Sequence, residues 1–156
     1  MPWARWLEAA PVPPEHVCLD SLSTLACADP TRLWALLALV QSVALQRYHR
    51  LRTTDVNVKP GALRELPVPR ALLDSPDELA ALSRERSRAD ALPPAALHAL
   101  DRRIDACVYR LFGLSTALVR AAEEGFWAER FPEEMRALEQ WMSDPRGKLG
   151  RMEETA

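Results

Sequence analysis

The sequence predicts a mainly α-helical fold with a small β element, of the α+β class. A long apolar run over 33–45 follows Asp29-Pro30, a pair typical of a helix start because aspartate caps the first turn and proline suits the first helical position. Apolar residues in 97–111 recur at three- and four-residue spacing. Between these runs, TTDVNV (53–58) is β-branched and alternating, as in a strand. We therefore expect an apolar support helix, a short strand or loop, a helical hairpin and shorter C-terminal helices.

The support helix is expected to run from Pro30 to about Leu51. Its apolar part covers 33–45, whereas a membrane-spanning helix needs about 20 residues, so we predict a buried core helix. The opening residues, MPWARWLEAAPVPPEH, contain no apolar stretch typical of a signal peptide. With 48% apolar and 27% charged residues among 156, the composition is that of a globular protein. We predict a cytoplasmic protein without a membrane partner.

The segments around the predicted strand are less regular. Residues 18–28 can hold one further short strand. Pro60-Gly61 is a turn signal, and one helical turn is expected over 62–65. Pro67 and Pro69 predict an extended chain after that turn, because the residue before a proline avoids the helical region.

The helical hairpin is predicted from start and stop signals. Residues 75–78 (SPDE) have the pattern of a capping box with proline at the first helical position, and the helix is expected to reach about Ala91. Pro93-Pro94 ends it. The second helix covers 95–112, and Gly113 is placed to end that helix in the left-handed conformation.

The remaining chain is expected to be helical in shorter pieces, near 116–124 and 132–143. Three segments are predicted from these patterns. They are an irregular Trp- and Pro-rich segment over 1–28, read also as the remnant of a missing upstream part, a main domain over 29–118, and a helical extension over 119–156 with a disordered tail from about 144.

Charge is unevenly distributed around a net charge of −2. Residues 47–70 carry six basic groups and two acidic groups. The basic residues are Arg47, Arg50, Arg52, Lys59, Arg64 and Arg70, and the acidic residues are Asp55 and Glu65. By contrast, residues 121–156 carry five basic and nine acidic groups. A local basic stretch in an acidic protein suits an anionic partner, and it equally describes a solvated loop.

The sequence contains none of the usual signatures of catalysis or metal binding. No glycine-rich phosphate loop and no nucleophile motif is present. The three histidines, His16, His49 and His98, are dispersed. The three cysteines lie apart without zinc-site spacing and are predicted to be reduced interior residues; they are Cys18, Cys27 and Cys107. We therefore predict no catalytic residue, no metal site and no cofactor in this chain.

Two stretches carry a resemblance to a known family. The first is LWALLALVQSVALQRYHRLRTTDVNVKPGALRELPVP (33–69). It resembles a pattern in which an apolar helix ending near "LLNS" leads through a polar segment to an "l..lpiP" stop, with Gln41-Ser42 standing at the "NS" position. The second, IDACVYRLFGL (104–114), is similar to an "ID.LVYxLYGLT" helix end, with Phe112 for tyrosine and Ser115 for threonine. Both patterns belong to the TaqI-like C-terminal specificity domain of type IIG restriction–modification enzymes and adenine-specific DNA methyltransferases.

The resemblance implies DNA target recognition without catalysis. In the family, a separate catalytic domain binds S-adenosylmethionine and carries an N-P-P-Y-type motif. Neither proline pair of this chain, Pro13-Pro14 or Pro93-Pro94, has the asparagine before it and the aromatic residue after it. The chain, with 29–118 as its target-recognition domain, would then be a fragment, a split specificity subunit or a truncated relic. Its expected partners are double-stranded DNA and a methyltransferase or restriction subunit.

The residues expected to contact DNA lie at the end of the support helix and just after it. Arg50, Arg52 and Lys59 would neutralise phosphates. Thr53, Thr54 and Asn57 would reach bases or sugars, and asparagine suits adenine N6 and N7. Simpler interpretations stay open, since cations near a helix C-terminus are favoured by the helix dipole and asparagine and threonine are common in turns.

A second hypothesis is a helical interaction module. The predicted hairpin of 76–91 and 95–112 would dock on a methyltransferase or another subunit. This requires an exposed apolar patch on those two helices. DNA binding instead requires the basic stretch to lie exposed on one face and unpaired by acidic side chains.

Overall fold

The computed structural model describes residues 7–13, 15–16, 23–52, 58–89 and 91–126. These residues form seven α-helices and no strand. In chain order the helices are α1 (Pro30–Gln41), α2 (Val43–Arg52), α3 (Pro60–Arg64), α4 (Arg70–Asp74), α5 (Asp77–Ser87), α6 (Pro94–Phe112) and α7 (Thr116–Glu123).

The expected mainly helical architecture is confirmed, but no small β element is found in the described chain. Most of the predicted strand, 53–57, lies outside the described residues, and Val58 is not in a strand. In 18–28, the described residues 23–28 form no strand either. The predicted helix over 132–143 and the tail after it also lie outside the described residues.

The start of α1 is the predicted one. Oδ1 of Asp29 accepts hydrogen bonds from the backbone N–H groups of Thr31, at 2.8 Å, and Arg32, at 3.3 Å. Pro30 occupies the first helical position. Aspartate thus satisfies donors that have no partner inside the helix.

The prediction of one uninterrupted support helix is wrong, because Ser42 separates α1 from α2. Its ψ of 151° is extended. The Ser42 hydroxyl donates to the Leu39 carbonyl at 2.7 Å and accepts from the Leu45 N–H at 3.4 Å. Ser42 therefore ends one helix and caps the next. Its hydroxyl takes over hydrogen bonds that backbone groups would make in a continuous helix, and an apolar side chain could not do this.

Two short helices flank the non-helical segment of the two prolines, and Pro69 is extended, as predicted. The predicted turn over 62–65 begins earlier, at Pro60, and α4 was not expected at all. Pro67 and Pro69 lie in the non-helical segment between α3 and α4. Leu72 of α4 is almost completely buried, so tertiary packing stabilises this helix where local signals did not predict it.

α5 packs against α6 as the predicted hairpin, but α5 ends at Ser87 and does not reach Ala91, and Ser75 does not cap it. The Ser75 N–H donates to the Ala71 carbonyl and ends α4, and Pro76 precedes α5 without a side-chain cap. Gly113 ends α6 in the left-handed conformation, with φ of 63°. Ser115 then caps α7 by accepting from the Leu118 N–H at 3.4 Å.

The core has two adjoining apolar clusters. The larger joins α1, α5 and α6 with Leu45 and Leu72; its fully buried members include Ala35, Ala38, Leu39, Leu79, Ala80 and Val108. The smaller consists of Val43, Tyr109 and Phe126 and joins α2 and α6 to the end of the described chain. The helix α2 therefore contributes to both clusters, through Leu45 and Val43, and its last two residues are exposed.

Among the described helices, none combines the length and the apolar character that a bilayer span requires. Of the cysteines, Cys107 is buried and Cys27 is half-buried, and both are free thiols. The division into three segments stays a prediction.

Candidate nucleic-acid interface

The predicted phosphate-contacting residues lie around the C-terminal end of α2. Arg50 and Arg52 belong to its last turn, and Lys59 immediately precedes α3. The hydroxyl of Ser23 donates to the Val58 carbonyl at 3.2 Å and so tethers the chain beside Lys59. The three residues expected to read bases or sugars lie outside the described residues; they are Thr53, Thr54 and Asn57.

Arg52 is exposed and already has two neighbours. Its Nη2 lies 3.7 Å from Oε2 of Glu65, and its guanidinium stands 5.5 Å from the centre of the Tyr48 ring. The ion pair brings the end of α3 next to the end of α2. Both side chains of the pair are more than half exposed, and such pairs contribute about 0–1 kcal/mol. A phosphate can therefore displace Glu65 at little cost.

Arg50 and Lys59 also interact within the chain. Arg50 is half-buried and Lys59 is exposed, and each has a contact with another group of the protein. Their role as phosphate ligands stays a prediction, since any DNA contact would have to add to these interactions or replace them.

Two further cations of the basic stretch were not among the predicted site residues. Arg64 ends α3 and Arg70 begins α4. Both are exposed, and in the described part of the chain neither has an ion pair or a hydrogen bond. The half-buried Leu66 and the buried Leu72 anchor this segment to the larger core cluster. The signal that could have identified them was the charge count over 47–70, which includes both.

Leu51 adds an apolar group to the same surface. It lies between Arg50 and Arg52, and it is 87% exposed, more than any other large apolar side chain in the described residues. An apolar side chain flanked by cations is suited to a nucleic acid, whose thymine methyl groups and sugars offer apolar contacts beside the phosphates.

The helix that presents these residues is held in place by polar contacts along its length. At its N-terminus, the Val43 N–H donates to Oδ1 of Asp105 on α6 at 2.8 Å. In its middle, the Gln46 side chain binds the backbone of Leu7. Further along, Nε of Arg47 donates to the Ala122 carbonyl at 2.9 Å.

Arg47 is therefore a structural cation and no candidate for DNA contact. Its guanidinium also donates to the Glu124 carbonyl and stands 5.6 Å from the centre of the Phe126 ring. The carbonyls at the C-terminal end of α7 carry partial negative charge, which a guanidinium stabilises. This contact fixes α7 against α2.

Asp105 is the one buried acidic side chain of the described core. It is 2% exposed, and its Oδ2 has no hydrogen-bond partner among the described residues. Burial raises the pKa of this carboxyl to about 7, against the lowering effects of the Val43 N–H and Arg102. Burial thus favours the neutral form of this carboxyl.

A polar network connects α6 and α7 next to Asp105. The Tyr109 hydroxyl donates to Oε1 of Glu123 at 3.0 Å, and Arg102 forms an ion pair with the same oxygen. Burial raises the pKa of Tyr109 and lowers the pKa of His98. No set of three His, Cys, Asp or Glu side chains in the described residues is arranged to hold a metal ion.

The outer face of the hairpin is charged and internally paired. Ion pairs connect α5 to α6 along its length, at 2.5 Å for Glu78–Arg110, 3.1 Å for Glu85–Arg103 and 2.8 Å for Arg86–Asp101. A groove of about 360 Å³ runs between them, with Ala81, Ala106 and Cys107 in its lining. Within the described parts of α5 and α6 no large apolar side chain is exposed. Docking through these two helices stays a prediction, without a large exposed apolar side chain on either of them to support it.

Comparison with known proteins gives no match at a significant level: no protein-family model, curated protein or solved structure is similar to this chain.

Proposed function

We propose that this chain is the non-catalytic DNA target-recognition part of a restriction–modification adenine-specific DNA methyltransferase. The observation that carries DNA binding is the basic stretch 47–70, in which Arg52 of α2, Lys59 just before α3, Arg64 of α3 and Arg70 of α4 are exposed. The assignment to this class of enzyme rests on the resemblance of 33–69 and 104–114 to its specificity domain. S-adenosylmethionine and the catalytic residues would come from a partner domain or subunit.

In this proposal α2 is the rigid support of the recognition surface. Its N-terminal end and middle are bound to α6, α7 and the N-terminal segment, and its last turn carries Arg50 and Arg52 to the surface. The cations contact phosphates and fix the register of the protein on the duplex. Thr53, Thr54 and Asn57, which follow α2 directly, supply the donors and acceptors that read base edges or sugars.

The same arrangement gives a quantitative expectation for salt dependence. If Arg50, Arg52, Lys59, Arg64 and Arg70 each neutralise one phosphate, the logarithm of the affinity falls with the logarithm of the salt concentration with a slope of about −4 to −5. The net charge of the whole chain is −2, but the acidic groups are concentrated in residues 121–156. The basic stretch can therefore attract DNA locally.

The test is binding of the purified chain to labelled duplex DNA of mixed sequence across a salt series. The triple variant Arg50→Ala, Arg52→Ala, Lys59→Ala is expected to bind more weakly, with a slope reduced in magnitude by about 3. The control is the double variant Arg88→Ala, Arg120→Ala, which removes exposed cations outside the basic stretch. Absence of binding at low salt, or equal loss in the control, would contradict the proposal.

A further inference from the structure

The junction between α1 and α2 is a one-residue hinge. Only Ser42 separates the two helices, and its extended backbone leaves the first N–H groups of α2 without partners in α1. The hydroxyl of Ser42 accepts from Leu45 at the long distance of 3.4 Å. The Val43 N–H is satisfied from outside the hinge, by Asp105 of α6 at 2.8 Å. This one carboxyl therefore anchors the first turn of α2 on α6, whereas Gln46 and Arg47 anchor the helix further along.

The surroundings of Asp105 compensate a negative charge only in part. The charged or titratable groups near it are Asp101, Arg102 and Tyr109 on α6 and Glu123 on α7, while α2 contributes the Val43 N–H. Arg102, the one cation among them, is already paired with Glu123. With 2% exposure, the carboxyl is shielded from bulk water where it lies, and its second oxygen has no partner in the described residues.

We infer that Asp105 is a positioning residue that latches the hinge: its neutral carboxyl holds the N-terminal turn of α2 on α6, and loss of its proton to water loosens that turn. The loosened turn exposes the carboxylate to solvent and removes one of the contacts that orient α2. Because α2 carries Arg50 and Arg52 at its other end, the latch couples proton binding to the placement of the cationic surface. This coupling rests on the proposed function, whereas the latch itself does not.

Two opposing effects determine the direction of the response. An ionised carboxylate accepts more strongly from a helix N-terminus, which favours the latched state at high pH. Burial favours the neutral form and is the larger effect, since the pKa is raised to about 7 in the latched state from an ordinary 3.8. The latched state therefore binds the proton more tightly, and raising the pH favours release. Between about pH 6 and pH 8 the ratio of released to latched molecules is expected to rise about tenfold.

Hydrogen exchange of the amides of residues 43–46 measures the latch in the full-length chain without DNA. The comparison is between the wild type, Asp105→Asn and Asp74→Asn at about pH 6, 7 and 8. Asparagine can keep the acceptor for Val43 but cannot ionise, and Asp74 is an exposed aspartate on α4. The ratio of the amide protection factor in the wild type to that in Asp105→Asn is expected to fall about tenfold from pH 6 to pH 8. The variant Asp74→Asn should behave as the wild type does. A ratio that stays constant or rises would overturn the latch.

A second measurement keeps the inference testable if Asp105→Asn does not fold. The carboxyl carbon of Asp105 in the wild type is followed by NMR during a pH titration, together with the amide of Val43. Both signals are expected to change together near neutral pH. A carboxyl that titrates as an ordinary aspartate, or a Val43 amide that does not respond, would overturn the inference.

The link to DNA is tested by measuring affinity for mixed-sequence duplex at about pH 6 and pH 8. Between pH 6 and pH 8, the DNA affinity of the wild type should decrease relative to the DNA affinity of Asp105→Asn. If exchange shows the latch and no variant binds DNA, the latch stands and the proposed function fails. If DNA binds and the two proteins keep the same affinity ratio at both pH values, the proposed function stands and the coupling is overturned.

Discussion

The side chain of Gln46 pairs with the backbone of Leu7 as a neighbouring strand would. Its Oε1 accepts from the Leu7 N–H at 2.8 Å, and its Nε2 donates to the Leu7 carbonyl at 2.7 Å. The same Nε2 donates to the Val40 carbonyl at 2.9 Å, across the hinge between α1 and α2. Gln46 is fully buried and Leu7 is 2% exposed, so one amide anchors the N-terminal segment to the support helix.

Replacing Gln46 by alanine is expected to lower the free energy of unfolding by about 2–4 kcal/mol, because it leaves the buried N–H and C=O of Leu7 without partners. Urea denaturation followed by circular dichroism measures the change. Leu51→Ala on the same helix is the control, since Leu51 is 87% exposed and its loss should change stability by about 0.5 kcal/mol or less. Equal effects of the two substitutions would contradict the role of Gln46.

Local signals predicted the helices whose ends are set by adjacent residues. Asp29 with Pro30 starts α1, Gly113 ends α6 and Ser115 starts α7, and each acts on backbone groups within a few residues of itself. The break at Ser42 was not predictable in the same way. The apolar pattern continues through it, and the Val43 N–H finds its acceptor on Asp105, 62 residues later.

The candidate site shows the same division between local and tertiary information. The charge count over 47–70 identified the basic stretch, but it could not separate Arg47, which binds the end of α7, from the exposed Arg64 and Arg70. It also could not show that Arg52 is paired with Glu65. Both distinctions depend on which helices are neighbours, and that information is tertiary.

The Ser42 hydroxyl is expected to stabilise the hinge by about 1 kcal/mol as the cap of α2. Ser42→Ala removes the acceptor for Leu45 and the donor to Leu39. A fall of this size in the unfolding free energy, measured by urea denaturation, would support the cap. Ser87→Ala provides the control, as Ser87 is the exposed last residue of α5. An increase in stability on Ser42→Ala would mean that a continuous helix is preferred once the serine is absent.

His49 is expected to make the fold sensitive to acid. It is 4% exposed, and burial lowers its pKa below 6.5, so the unfolded chain binds a proton more readily than the folded one. The stability of the wild type relative to His49→Gln should therefore decrease as the pH falls below about 6.5. Denaturant titrations at several pH values measure this difference. The exposed His16 supplies the control His16→Gln, which should follow the wild type, and a constant difference for His49→Gln would contradict the expectation.

Arg64 and Arg70 are expected to bind phosphates more readily than the other cations of the basic stretch, because neither has a partner among the described residues. The double variant Arg64→Ala, Arg70→Ala should weaken DNA binding and reduce the magnitude of the salt slope by about 2. Arg88→Ala, Arg120→Ala removes the same charge from exposed positions just after α5 and on α7 and should leave the slope unchanged. Identical slopes for the two double variants would place the DNA elsewhere.

Glu65 is expected to inhibit DNA binding, because its carboxylate forms an ion pair with the Arg52 guanidinium and adds a negative charge to the proposed surface. Glu65→Gln should therefore raise the affinity for mixed-sequence duplex about two- to fivefold at low salt, the range that corresponds to an exposed ion pair of up to about 1 kcal/mol. A gain of this kind is informative because partial unfolding cannot produce it. The matched control is Glu85→Gln, which frees Arg103 from an ion pair of similar exposure on the outer face of the hairpin. If Glu85→Gln raises the affinity as much as Glu65→Gln does, the effect comes from net charge, and Arg52 does not contact DNA.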